Sequence, residues 1–242
     1  MKGQLLKVSQ VDERTRASMY RLFRSQFKGV SRQDFDFDLD QKNWLLLLRG
    51  EHGLAGFSTL DVKRRLIDGK PATIVFSGDT EVDPRNWQDS ALSYNWMGAI
   101  ICFQRQFPDD RFLWFLLVSG YRTYRHLPVF TRTFYPNYTH VTPPVVQRLM
   151  HLLARERFGE RYDPKAGIVR LRVPSLLRGK FTGIPPRRLV DPHVEYFARR
   201  NPGHESGDEL VCMTELCEQN LTRLGLRMWR RGAKLFSKPE PE

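Results

Sequence analysis

The residues best suited to chemistry lie between Ala72 and Leu92. An apolar run, Ala72-Thr73-Ile74-Val75-Phe76, continues as Ser77-Gly78-Asp79-Thr80-Glu81-Val82, and Asp83-Pro84-Arg85-Asn86-Trp87-Gln88-Asp89-Ser90 then leads into a long helical pattern. Side chains of an extended chain alternate between faces, so Asp79, Glu81 and Asp83 project together. Three carboxylates on one strand face either exchange a proton with a substrate or form a salt-bridge cluster with nearby Lys and Arg. The loop beyond them carries Arg85 and opens a helix. The first-turn N–H groups of a helix have no internal partner, and its dipole favours negative charge there. Strand, basic loop and helix start together make an anion cradle, which fits a phosphorylated cofactor.

Those residues need a sheet behind them. Leu5 to Val8 reads as a short strand, and Asp12 as the N-cap of a first helix running to about Phe27 with Met19, Tyr20, Leu22 and Phe23 at helical spacing. Three strand-like runs follow, Asn43 to Arg49, Leu54 to Lys63 and Ala72 to Val82, joined by turns around Gly50-Glu51-His52-Gly53 and Asp68-Gly69-Lys70-Pro71. That is an antiparallel meander. Gln88 to Gln106 is a long helix, Arg111 to Val118 a buried strand, Tyr121 to His126 a short helix stopped by Pro128, and Phe130 to Tyr135 another strand. Thr142-Pro143-Pro144 opens a helix with proline in its first turn. An irregular stretch rich in Gly and Pro follows from Tyr162 to Pro186, with one strand at Ile168 to Val173. A helix from Asp191-Pro192, a strand at Glu209 to Met213 and a last helix from Glu215 to about Leu235 complete the chain. Ser31 to Asp40 alternates Phe35, Phe37 and Leu39 with Asp34, Asp36, Asp38 and Asp40, so it reads as an exposed strand or loop with its four carboxylates on one face. It lacks the glycine and terminal glutamate of a calcium loop, and no metal is expected there.

This order of elements resembles the GNAT superfamily of N-acyltransferases over roughly residues 1 to 140: strand, helix, meander, the Val-x-Pro-Arg entry at Val82 to Arg85, long helix, buried strand and a Tyr-bearing short helix. The resemblance implies an α/β (α+β) fold, a mixed and mostly antiparallel sheet flanked by helices. Residues 1–140 would form the acyltransferase core, 141–236 a C-terminal helical extension completing the sheet and the acceptor side, and 237–242 a disordered tail. In that family the strand before the loop meets the pantetheine arm and the loop wraps the pyrophosphate of acyl-CoA. Carried over, the cofactor positions are Val82, Arg85, Asn86, Trp87, Gln88, Ser90 and Ala91. Gln88 and Ser90 stand where the family loop has glycines. The implied donor is therefore either acyl-CoA or the phosphopantetheine thioester of an acidic acyl carrier protein. The chemistry so implied is acyl transfer to a small-molecule amine, with Glu81 as general base and Asp79 as the alternative. Tyr124 takes the family's acid position, three residues from Tyr121. Packing against the core accounts for either tyrosine equally well.

Composition limits the remaining readings. The chain has 242 residues, 39 Lys and Arg against 27 Asp and Glu, and a formal charge of +12, so its partners are expected to be anionic. The 40% hydrophobic and 12% aromatic content excludes wholesale disorder. No apolar run has membrane-spanning length, and the start lacks a signal-peptide core. Cys102, Cys212 and Cys217 form no Cys-x-x-Cys pair. A reduced, cytoplasmic protein is expected. Phosphate-loop, dinucleotide, nucleophile-elbow and His-Glu-x-x-His motifs are all missing. Arg223, Arg227, Arg230, Arg231 and Lys234 share one side of the last helix, which suggests either a solvated face or docking to an acidic partner or an anionic membrane surface. The competing functional reading is a non-catalytic protein of the same fold that uses its basic surface on nucleic acid or an acidic protein.

Overall fold

The computed structural model describes residues 1–51, 53–179 and 183–236. The tail expected to be disordered lies outside them. β1 (Lys2–Lys7), α1 (Glu13–Gln26), a two-residue β2 (Phe27–Lys28) and α2 (Arg32–Asp40) precede three strands, β3 (Trp44–Gly50), β4 (Gly53–Ile67) and β5 (Lys70–Val82). All four leucines from Leu45 to Leu48 are buried, so β3 is covered on both faces. Asp68 (φ 50°) and Gly69 (φ 75°) both take positive φ in the β4–β5 hairpin. A two-residue turn of that kind matches the twist of the strands it joins.

From β5 the chain crosses through α3 (Ala91–Gln106) to β6 (Arg111–Val118), which runs parallel to β5. Then come α4 (Tyr121–Tyr124), α5 (His126–Phe130), β7 (Phe134–Tyr135), α6 (Pro144–Phe158), β8 (Tyr162–Asp163), β9 (Ile168–Arg170), β10 (Leu176–Leu177), α7 (Pro192–Arg200), β11 (Asp208–Glu215) and α8 (Arg223–Leu235). The main sheet has the order β1-β3-β4-β5-β6-β11-β9-β8, antiparallel except at β5–β6, with β7 attached to β11. The fold class is the one expected, a mixed, mostly antiparallel sheet with helices on both faces. Leu46, Leu60 and Val75 pack toward α3 and α8. On the opposite face Leu45, Leu47 and Phe57 meet α1 and α2, while Ile74, Phe76, Leu113 and Phe115 meet α6. The helices α3 and α8 cross at glycine. A Cβ on Gly232 would lie 2.3 Å from the Tyr94 carbonyl oxygen and 2.6 Å from the Gly98 nitrogen.

Three expectations are corrected. Ser31 to Asp40 is not extended but forms α2, capped by Ser31 and Asp34 through reciprocal bonds. Phe35 and Leu39, one turn apart, are buried, whereas Phe37 is 70% exposed. Its carboxylates are dispersed rather than aligned: Asp40 pairs with Arg16, Asp36 with Arg32, and Asp38 with Lys42. Secondly, Pro128 does not stop a helix but sits in the first turn of α5, where its missing N–H has no role to lose. Residues 130–133 are consequently not strand, and only Phe134–Tyr135 is. Thirdly, the last helix begins at Arg223, where Thr222 accepts from the Gly225 amide as N-cap. Arg223, Arg227, Arg230, Arg231 and Lys234 are exposed on it. No described helix is long and apolar enough to cross a membrane.

Candidate active site

The site is built where two parallel strands part. β5 and β6 pair from Ala72↔Arg111 to Ser77↔Leu116. Beyond that rung β5 stays with β4 as far as Gly56↔Val82, and β6 stays with β11 as far as Val118↔Leu210. A cavity of about 1350 Å³ fills the resulting gap. Its walls come from both faces of the sheet, with Phe35 and Phe158 on one side and Trp96 and His126 on the other. The opening therefore passes between the strands.

A bulge shapes the β5 leg. Ser58 pairs with Thr80 and Leu60 with Ser77, so Thr59 alone faces both Gly78 and Asp79. Glycine at position 78 leaves room for the side chains of Lys42 and Thr59, because a Cβ there would lie 2.6 Å from Lys42 Cε and from Thr59 Oγ1 and would have to displace them. Lys42 occupies that space with its side chain 1% exposed, and its ammonium donates to Asp38 Oδ2 at 2.6 Å and to the Asp38 carbonyl at 3.0 Å.

Two of the three aligned carboxylates reach the cavity. Glu81 is 6% exposed, and its carboxylate has no hydrogen-bond or ion-pair partner among the described residues. Burial pushes it well above the ordinary glutamate range, and the neighbouring Asp79 charge adds to the push. Asp79 is pushed up to about 7 by burial first and then by the Asp38 charge, against which Lys42 acts. Asp83 points elsewhere. It accepts from the Arg85 amide at 3.0 Å and from the Arg85 guanidinium at 2.6 Å, and the guanidinium beside it holds it below the usual range.

The loop carries the cofactor candidates with mixed results. Val82, Trp87, Gln88 and Ser90 line the cavity, and Arg85, Asn86 and Ala91 do not. Arg85 is committed to Asp83, so its charge is already neutralised. Trp87 Nε1 donates to the Val82 carbonyl at 2.8 Å, and the Ala91 amide donates to Asp89 Oδ1 at 2.8 Å. The amides of Gln88, Ser90, Leu92 and Ser93 have no acceptor among the described residues. The start of α3 thus keeps donors for an anion, although one has been claimed by Asp89.

The tyrosines lie in the core. Tyr124 is fully buried, donates to the Pro136 carbonyl at 2.8 Å and packs against Phe134, Tyr196 and Phe197. Burial raises its hydroxyl above the ordinary tyrosine range. Neither Tyr124 nor Tyr121 is among the residues that line the cavity. The same short helices present Arg122, Thr123 and His126 instead.

Sequence reasoning missed Trp114 and Glu209. Trp114 lines the cavity and stands 4.6 Å from Trp96, ring to ring. Glu209 enters from β11, far along the chain. Burial pushes it up to about 8, helped by Asp79 and Asp38 and opposed by Lys42. Only the pairing of β11 with β6 brings it here. Among the described residues no three His, Cys, Asp or Glu side chains come together as a metal site.

No family model matches the chain, and no curated protein does. Among solved structures, 55% of it aligns with 33% of a conserved Enterococcus faecalis protein of unknown function described as a probable N-acyltransferase, at 14% identity and a TM-score of 0.40. Glucosamine-6-phosphate N-acetyltransferase from Arabidopsis thaliana aligns over 57% of this chain and 97% of its own, at 11% identity and a TM-score of 0.37.

Proposed function

We propose that the protein transfers an acyl group from a thioester donor, acyl-CoA, to an amine. The observation that carries the reading is Glu81: a buried carboxylate with no partner among the described residues, held in the gap between parting parallel strands, with the unused amides around the start of α3 in residues of the same cavity wall. Leaving a carboxylate buried and unpaired is costly, and sites that do so are enriched in proton-transfer roles.

The amides of Gln88, Ser90, Leu92 and Ser93 would hold the diphosphate of the donor, and the gap edge of β5 would face its pantetheine arm. Glu81 takes a proton from the attacking amine. The amine nitrogen bonds to the acyl carbon, the carbon–sulfur bond breaks, and the proton returns to the departing thiolate, so no net proton is consumed. A raised affinity for protons makes the ionised Glu81 a stronger base than an ordinary glutamate. A donor borne on an acidic carrier protein is the variant form of the reading, with the exposed cations of α8 as its docking face.

The test is Glu81→Gln assayed with acetyl-CoA and a panel of amines. Turnover should fall about 100-fold or more while donor binding stays within about twofold of the parent. Unchanged turnover would remove Glu81 from the mechanism. The non-catalytic reading is favoured by one observation, the commitment of Arg85 to Asp83 inside the anion cradle. It requires a strongly salt-dependent complex with single-stranded nucleic acid and no stabilisation by acyl-CoA.

A further inference from the structure

Carboxylates from β5 and from β11, Asp79 and Glu209, line the same cavity. On β11, Leu210 pairs with Val118 at the end of the β6 leg, and Glu209 is the next residue out. Val211 and Met213 pack toward α6, and alternation places Glu209 on that same face. Asp79 lies just past the apex on the β5 leg. Each of the two has a raised affinity for protons, and the Asp79 charge contributes to the shift at Glu209. Neither side chain has a hydrogen-bond or ion-pair partner among the described residues. Lys42, the cation whose field reaches both, is bonded to Asp38. Arg157, another cation of the wall, is bonded to Asp61 and lies over the Phe76 ring. Glu81, more than nine-tenths buried and equally unpartnered, opens into the same cavity.

Burial favours the protonated form of these three carboxyl groups, and a cationic ligand beside them would hold them ionised. These groups are not gathered as a metal site. We infer that the acceptor is an amine with a second positive charge, a diamine or longer polyamine, whose distal ammonium is held between Asp79 and Glu209 while its other nitrogen is presented to Glu81. This rests on the acyltransfer reading. The reacting nitrogen must be neutral to attack, so a monoamine would leave Asp79 and Glu209 unmatched, whereas the distal ammonium of a diamine answers both. The aliphatic spacer would pack against the rings of Phe76 and Phe158, which line the cavity with centroids 6.1 Å apart. Glu209 is then the residue that sets acceptor specificity.

The experiment measures binding of putrescine and of butylamine to the full chain by titration calorimetry, alongside acetyl transfer from acetyl-CoA. The parent should bind putrescine about tenfold more tightly than butylamine, the value of one charge-assisted contact. Glu209→Gln should bring the two within about twofold, and Glu209→Asp should keep most of the preference, which separates lost charge from lost folding. Glu81→Gln should retain the preference and lose transfer. Equal binding of the two amines by the parent, or an undiminished preference in folded Glu209→Gln, overturns the inference. Equal KM for both amines with good turnover sinks the inference and leaves acyl transfer standing. A putrescine preference with no acylation of either amine supports the cation site and sinks acyl transfer.

Discussion

Trp114 donates its indole N–H to the Ser77 hydroxyl at 2.8 Å, reaching from β6 to the last residue of β5 that still pairs with it. The bond fastens the apex of the opening. It also lies beside the Trp96–Trp114 ring pair that forms one cavity wall. Removing it by Trp114→Phe or Ser77→Ala should each destabilise the fold by about 1 kcal/mol in urea unfolding. A double-mutant cycle should show coupling of about 0.5 kcal/mol or more. Purely additive effects would mean that the two strands are held together without it.

The helix start competes with its own ligand. Asp89 accepts from the Ala91 amide where the phosphates of the donor are proposed to lie. Asp89→Ala should cost about 1 kcal/mol of stability through the lost cap bond. It should also raise acyl-CoA affinity about twofold to fivefold, because a negative charge leaves and a donor is freed. The two effects have opposite signs, and isothermal titration beside thermal unfolding reads both. Weaker donor binding would place the phosphates elsewhere.

The crossing of α3 and α8 leaves no room at Gly232. The atoms that an added methyl would meet are backbone, so they cannot swing aside. Gly232→Ala should destabilise by about 1–3 kcal/mol, whereas Arg227→Ala on the exposed side of α8 should change stability by under about 0.5 kcal/mol. Equal midpoints for the two variants would show that the helices can slide apart freely.

Stability should fall as pH rises toward neutrality. Unfolded Asp and Glu release their protons near pH 4. In the fold Asp79 keeps its proton up to about 7 and Glu209 up to about 8. Between those limits the folded state binds more protons than the unfolded one, so unfolding free energy declines with rising pH. The protonated-state advantage is complete below pH 4 and gone above about 8. Urea midpoints of a D79N/E209Q double variant should be flatter across this window and higher than those of the parent at its upper end. Parallel curves for the two proteins would contradict the assignment. A bound diamine should flatten the parent's decline in the same way, since it stabilises the charged carboxylates.

Much of the frame was legible locally. The turns around Gly53 and Gly69, the alternation along β4 and β5, and the Pro84-Arg85 entry into α3 are short-range features, set by φ preferences and side-chain period. So was the placement of Asp79 and Glu81 on one strand. Where local patterns are degenerate, the reading went wrong. Residues 35 and 39 are an even distance apart and also one helical turn apart, so alternation and helix make the same demand of them. Phe37 distinguishes the two, and only the packed structure shows it exposed.

What the sequence by itself determined is a set of strand and helix stretches with two carboxylates and a loop rich in free amides near their junction. What only the tertiary structure decided is which groups meet there. The packing of α7, through Tyr196 and Phe197, takes Tyr124 into the core, and the register of β11 against β6 brings Glu209 to the gap. Both depend on contacts between residues far apart in the chain, whose energy comes from burying surfaces that have no signature in either segment alone.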